Sequence, residues 1–147
     1  MTTVATNKPV DVANRLRPVL LHLNRHMRRE VLTSGVSAGQ LSLLGQIEGN
    51  PGIGVAELAT REGMSMPSVC SHIDRLEASG LVTRRQAERD RRRVDLEVTP
   101  EGQRVLKVIR SKRTAWLTAR LSKLADADLS VVAAAIAPLE ALLAQAE

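Results

Sequence analysis

An arginine-rich segment is the part of this chain whose residue types are best suited to binding a partner. Residues 84–93 hold six arginines and two acids, a net charge of about +4 in a chain whose formal net charge is +5. A guanidinium is always charged and bonds in a bidentate manner, so clustered arginines suit a surface of regularly spaced phosphates. The segment indicates a nucleic-acid partner, with the positive charge concentrated at one turn. A solvated charged loop is the alternative.

The amino-acid composition narrows the kind of nucleic acid. Among 147 residues the chain has one Trp, Trp116, and no Phe or Tyr. Modules that bind single strands stack the bases on aromatic side chains, so duplex DNA is expected rather than RNA. A hydrophobic content of 44% is enough to bury the core of one domain.

Other classes of protein and site have little support in the residues. A glycine-rich phosphate loop, a nucleophile elbow and metal-ligand spacing are all missing from the sequence, so we expect neither an enzyme nor a cofactor nor a bound metal. The lone Cys70 cannot form an intrachain disulfide, and we find no signal-peptide core and no run of eighteen apolar residues. These features predict a cytoplasmic protein without a membrane partner.

Helical periodicity predicts two helices in the first third of the chain. Residues 1–10 read as a flexible arm, and residues 11–31 as a long helix in which Pro18 bends the axis or delays the start. Ser37 and Gln40 have the spacing of a capping box that opens a second helix, which residues 49–52 end.

Two short helices separated by a glycine turn follow, and they predict a helix-turn-helix. Residues 53–55 are long enough only for a bridging strand. The third helix then carries Glu57 in its first turn and ends at Gly63. Ser65 caps the fourth helix, with Pro67 in its first turn, where proline costs no hydrogen bond.

The fourth helix has two distinct faces. At 100° per residue, Val69, Ile73 and Leu76 point inward together. The opposite face is small, polar and basic, which suits entry into a major groove, although any surface helix shows a polar face. Its residues are Ser68, Ser71, Arg75 and Ala78, with His72 and Cys70 on the flanks.

Residues 81–83 and 94–98 read as the two strands of a β-hairpin, or wing, with the arginine run at its tip. Thr99 caps a fifth helix, and Asp126 opens a sixth. The apolar seam of the sixth helix exceeds what a small winged domain covers, so a helix of a second chain or an ordinary core would bury it; Pro138 weakens a straight coiled coil. The seam consists of Leu129, Val132, Ile136, Leu139 and Leu143, widened by Val131, Ala135 and Leu142.

With this order of elements, the chain resembles the MarR (multiple antibiotic resistance regulator) family of winged-helix transcription factors. The resemblance runs from about residue 11 to the C-terminus and is carried by residues 55–59, 66–69, 73–82, 90–93 and 96–102. It implies a mainly α fold with a small β-hairpin, in which a winged helix-turn-helix core, about residues 37–99, is flanked by dimerisation helices at about 11–33 and 100–146.

The resemblance also implies a function: a sequence-specific regulator of transcription, expected to be a ligand-responsive repressor, that binds an inverted-repeat operator as a homodimer. Asp90 and Arg92 match the family's Asp-x-Arg wing signature, in which the acid fixes the wing and the arginine enters the minor groove. The candidate DNA-binding residues are Ser65, Pro67, Ser68, Ser71, His72, Arg75, Arg84, Arg89, Asp90, Arg91, Arg92 and Arg93. A non-specific architectural or protein-interaction winged-helix protein is the alternative.

Members of this family often respond to small phenolic or other anionic effectors. His22, Arg25, His26 and Arg28 on the first helix are candidates to bind such a ligand, and a solvated helix face explains them equally well. Other members sense oxidants through a cysteine near the N-terminus, where this chain has none. Cys70, on the flank of the fourth helix, is expected to pack rather than to sense.

Overall fold

The computed structural model describes residues 8–30 and 32–144, which form six α-helices and one β-hairpin. The hairpin strands are β1 (Val82–Gln86) and β2 (Val94–Val98), paired antiparallel. This arrangement confirms the predicted mainly α fold with a small hairpin. The helices are α1 (Lys8–Arg29), α2 (Ala38–Gly49), α3 (Val55–Glu62), α4 (Met66–Ala78), α5 (Pro100–Leu121) and α6 (Asp126–Ala144), with a short 3-10 helix at Leu32–Ser34.

The first helix differs from its prediction at the N-terminal end. It begins at Lys8, so the last three residues of the predicted arm are helical. Pro9 lies in the first turn, where a missing N–H breaks no hydrogen bond. The helix also continues through Pro18, which therefore does not delay its start. The other arm residues, 1–7, lie outside the described residues, as do Val31 and residues 145–147 at the predicted ends of the dimerisation helices.

Side-chain caps fix where the helices begin, as the sequence predicts. Ser37 Oγ accepts a hydrogen bond from the Gln40 N–H at 3.2 Å, and Gln40 Oε1 accepts one from the Ser37 N–H at 2.9 Å, which completes the capping box of α2. Ser65 Oγ accepts from the Ser68 N–H at 3.3 Å. Thr99 Oγ1 accepts from the Gly102 N–H at 3.0 Å. Each cap satisfies a backbone donor that the helix itself leaves unpaired.

The described residues form two compact units that divide between Arg110 and Ser111, inside α5. The first unit contains the hydrophobic core, which α2, α3, α4, the hairpin and the first part of α5 build together. Its fully buried side chains include Leu43, Leu44, Ile47, Leu58, Ile73, Leu76, Leu96 and Ile109.

An ion pair joins α2 to the first part of α5. Arg110 donates to both carboxylate oxygens of Glu48, at 3.2 Å for Oε1. This hydrogen bond holds the pKa of Glu48 below its ordinary value of 4.5 and raises the pKa of Arg110. Because the folded-state pKa of Glu48 is lowered, the pair stabilises the fold at neutral pH and loses its effect as the pH falls below about 4.5.

Two helices have none of their residues buried, namely α1 in the first unit and α6 in the second. On α6, Ile136 is 55% exposed and Leu143 is 71% exposed. In the described part of the chain, α6 is the one helix that is long and apolar enough for a membrane, with a mean hydropathy of 1.7. Asp126, Asp128 and Glu140 interrupt its apolar sequence.

Candidate nucleic-acid interface

Helices α3 and α4 form the predicted helix-turn-helix. α3 ends at Gly63, whose φ of 61° lies in the left-handed region that glycine adopts without a steric penalty. Met64 and Ser65 complete the turn, and α4 begins at Met66 with Pro67 in its first turn. The turn therefore follows from two local signals, a glycine that ends one helix and a serine that caps the next.

The two faces of α4 match the prediction. Val69, Ile73 and Leu76 are at most 1% exposed and pack into the core. Ser71, Arg75 and Ala78 are exposed on the outer side, with Ser68 half-buried beside them; at the start of the helix, Ser65 and Pro67 are exposed as well. Apart from the long, flexible Arg75, the side chains of the outer face are small, so the helix can enter a DNA groove closely.

His72 lies in a packing contact instead of on this outer face. A Cβ placed on Gly39 of α2 would be 3.0 Å from His72 Nε2, so the imidazole fills the space that the glycine leaves. His72 Nδ1 is buried and has no hydrogen-bond partner within the described residues. The flank of α4 that carries His72 faces α2, which argues against its prediction as a DNA contact. Cys70, on the other flank, is half-buried.

The first strand of the wing is longer than predicted, and the tip is correspondingly shorter. β1 runs from Val82 to Gln86 and pairs with β2 in the register Val82 with Val98 through Gln86 with Val94. Arg84 and Arg85 therefore lie within a strand, and the tip consists of residues 87–93. Val94 is exposed, against the predicted alternation, because the tip end of β2 extends beyond the core.

Asp90 organises the wing tip. Its Oδ1 accepts a hydrogen bond from the Arg92 N–H at 3.0 Å, and its backbone carbonyl accepts one from the Arg93 N–H at 2.9 Å. Gln86 Nε2 donates to the Arg91 carbonyl at 2.7 Å. These bonds hold the turn that presents the arginine side chains.

The six wing arginines divide into two groups. Three of them form ion pairs: Arg84 with Asp74 and Glu77, Arg85 with Glu97 at 3.4 Å, and Arg93 with Asp95 at 3.3 Å. The guanidinium groups of Arg89, Arg91 and Arg92 have no ion-pair partner among residues 8–30 and 32–144, and neither has that of Arg75 on α4. The wing tip and the outer face of α4 therefore both carry cations that are free to bind phosphate.

An open depression of about 540 Å³ separates the wing tip from the start of α3. Arg92 and Arg93 line one side, and residues 54–57 line the other. Gly54 provides no side-chain cap for α3, so backbone N–H groups of the first turn remain available there. Amide donors opposite an unpaired arginine are suited to a phosphate oxygen.

The arginine run is not the only concentration of positive charge, which corrects the sequence interpretation. α1 carries six Lys and Arg residues against one acid, and so does α5. α6 has three acids and no basic residue. The net charge of the arginine run is close to that of the whole chain only because the basic helices α1 and α5 are offset by acidic residues elsewhere, including those of α6. The wing differs from these helices in its position beside the helix-turn-helix, where Arg89, Arg91 and Arg92 have no ion-pair partner among the described residues.

Comparison with known proteins identifies the family. Residues 34–93 match the profile of the MarR family. An uncharacterised HTH-type transcriptional regulator of Mycobacterium bovis is 30% identical over 124 residues, which span 84% of this chain and 87% of that protein. The chain belongs to the MarR family.

Other transcriptional regulators are similar to this chain in sequence and in structure. The HTH-type transcriptional repressor MdtR of Bacillus subtilis is 28% identical over 119 residues, 81% of this chain and 77% of MdtR. The crystal structure of a putative transcriptional regulator from Pseudomonas aeruginosa superposes with a TM-score of 0.78 at 30% identity, covering 95% of this chain and 98% of that one. This MarR-family chain is a DNA-binding transcriptional regulator and not an enzyme.

The predicted ligand residues of this MarR-family chain do not all lie together. His22 and His26 stack with ring centroids 6.5 Å apart on the exposed helix α1. Arg25 instead lines a depression of about 440 Å³, together with Leu21, Asn24, Arg28, Arg29, Leu32 and Ala38. Of the predicted ligand residues, Arg25 and Arg28 line this depression, whereas Arg29 and the apolar residues were not among the candidates. The described residues contain no group of three or more His, Cys, Asp or Glu that could hold a metal ion.

Proposed function

We propose that this chain is a homodimeric, sequence-specific repressor that acts in the cytoplasm and binds an inverted-repeat operator in duplex DNA. The observation that carries the proposal is the set of unpaired guanidinium groups at the wing tip, beside a helix-turn-helix whose second helix has an open polar face. The name of one relative, the repressor MdtR, supports repression as the direction of control.

Each part of the interface has a different task. Ser71 and Arg75 on α4 reach base edges in the major groove, where each base pair presents a distinct pattern of donors and acceptors. Arg92 enters the flanking minor groove, whose narrow form concentrates negative potential. Arg89 and Arg91 contact phosphates, which adds affinity without sequence preference.

The exposed apolar faces of α1 and α6 support a homodimer. Val12 and Val19 of α1 are 56% and 53% exposed, and Val131 of α6 is 68% exposed. Apolar surface of this extent marks an interaction site in a protein that works in water. A second copy provides both an apolar face and complementary charge, because α1 is basic and α6 is acidic. Two-fold symmetry in the protein then requires an inverted repeat in the DNA.

The depression beside α1 supports the proposal that the protein binds a small effector. Its lining suits a molecule with an anionic group and an apolar body, such as a phenolic acid. Arg25, Arg28 and Arg29 provide the positive charge, and Leu21 and Leu32 provide apolar contact. Arginine binds a carboxylate with two parallel hydrogen bonds, which fixes the orientation of the ligand. Binding of the effector releases the operator.

Replacement of Arg92 by alanine tests the wing assignment. We expect Arg92→Ala to weaken binding to a duplex selected from a random pool by roughly 1–3 kcal/mol, with only a modest loss of sequence preference. Arg75→Ala should instead relax the preference at particular base pairs, because it removes a contact to a base. Titration of labelled duplexes, each changed at one base pair, measures both effects.

The matched control is Arg15→Ala, which removes the same charge from the start of α1, where Arg15 pairs with Asp11 at 3.7 Å. This variant should bind the duplex nearly as tightly as the parent. If Arg92→Ala also binds as tightly as the parent, the wing does not contact DNA as proposed.

A further inference from the structure

Arg84 joins the wing to the recognition helix. It lies in β1, and its guanidinium donates a hydrogen bond to Asp74 Oδ1 while its Nε lies 3.3 Å from Glu77 Oε2. Its side chain is 36% exposed, against 72% for the neighbouring Arg85. One planar fork thus holds two carboxylates of α4, so strand and helix are connected at two points.

The same contacts affect the charge that α4 presents. Asp74 and Glu77 are the two acids of α4, and Arg75 lies between them in sequence. Unneutralised carboxylates on this helix would repel DNA phosphates. Arg84 offsets their charge, and its own hydrogen-bond donors are directed at the helix instead of outward.

We infer that Arg84 is a positioning residue, which sets the wing relative to α4 and masks two acids, and that it does not itself bind phosphate. The inference rests on the proposed operator-binding function. It removes Arg84 from the predicted DNA-binding residues and gives it a positioning role. Because α4 reads one groove and the wing enters the next, a fixed connection between them selects DNA in which both fit at once. Exposed ion pairs contribute little to folding stability, so the effect should appear in DNA binding.

The test is a mutant cycle on a duplex that the parent selects from a random pool. Binding is measured over a series of salt concentrations for the parent, Arg84→Ala, the double variant Asp74→Asn with Glu77→Gln, and the triple variant. We expect Arg84→Ala to lose about tenfold in affinity, within the range for coupled neighbours, with the log–log salt slope unchanged. In the background that lacks both acids, the same substitution should change affinity by less than about twofold.

Arg85→Ala is the matched control, because it removes the same charge from the next residue of β1 and breaks only a pair within the hairpin, with Glu97. It should not reproduce the loss. Arg84→Lys keeps the charge that offsets the two acids but not the two-carboxylate fork, so it should recover only part of the affinity that Arg84→Ala loses. Thermal unfolding without DNA shows whether the alanine variant folds. If it does not fold, the lysine variant still tests the inference.

A direct phosphate contact would give a different result. Arg84→Ala would then reduce the magnitude of the salt slope by about one and cost the same affinity in both backgrounds, and lysine would restore binding. That result would overturn the inference. An Arg84→Ala variant that binds as tightly as the parent would also overturn it. Both results leave the proposed function intact. A parent that selects no duplex contradicts the proposed function itself and, with it, this inference.

Discussion

Glutamate at both Val132 and Ile136 of α6 is expected to convert the protein to a monomer and to lower its affinity for the selected duplex by about 100-fold or more. These side chains are 43% and 55% exposed and lie on one face of the helix. Each winged domain contacts one half-site, so separating two of them removes the gain from linked binding. Light scattering measures the mass in solution, and duplex titration measures the affinity.

Ala134→Glu provides the control, because it adds one of the same charges on the opposite side of α6. We expect this variant to remain a dimer and to bind like the parent. A double glutamate variant that stays dimeric and still binds a full site would show that the dimer interface lies elsewhere. Recovery of the parent with lipid vesicles would instead favour α6 as a membrane helix.

Among single glycine-to-alanine substitutions in this fold, Gly102→Ala should cause the largest loss of stability. Gly102 is buried in the first turn of α5, and a Cβ there would lie 2.3 Å from the Leu81 carbonyl oxygen and 2.7 Å from Val98 Cγ1. The carbonyl belongs to the backbone and cannot rotate away. We expect Gly102→Ala to lower the free energy of unfolding by about 1–3 kcal/mol or more.

Gly45→Ala is its control, because Gly45 lies inside α2 and a Cβ there would meet nothing within 4 Å. That substitution should raise the free energy of unfolding by about 0.5–1 kcal/mol, since alanine loses less backbone entropy in a helix than glycine does. Urea unfolding followed by circular dichroism compares the two variants. Equal effects of the two substitutions would contradict the close packing between α5 and the wing.

Local sequence signals predicted the helix-turn-helix well. Gly63 and Ser65 specify the turn through backbone conformation and a side-chain cap, both of which depend on neighbouring residues alone. The inward face of α4 follows from helical geometry, so Val69 and Ile73 were placed correctly. The predicted β1 ended three residues too early. Arg84 to Gln86 lack an apolar alternation and become a strand only by pairing with β2.

Tertiary contacts explain what the sequence did not predict. Six arginines look alike in the sequence, and only the fold shows that Arg84 is held by α4 while Arg92 is free. The spacing of Asp74 and Glu77, three residues apart on one helix, places both on the same side and was a usable signal for such a pair. The packing of His72 depends on Gly39, which is distant in sequence and has no side chain to mark the contact.

The most direct test of operator recognition by the wing and α4 compares the selected duplex with a scrambled duplex of the same composition over a range of salt concentrations. Three unpaired wing arginines in each of two subunits predict a log–log slope on the order of −5 or more negative for the selected duplex. The selected duplex should also bind about 1,000-fold more tightly than the scrambled one, and the preference should persist at moderate salt. Equal affinity for both duplexes, or a slope near zero, would contradict the account.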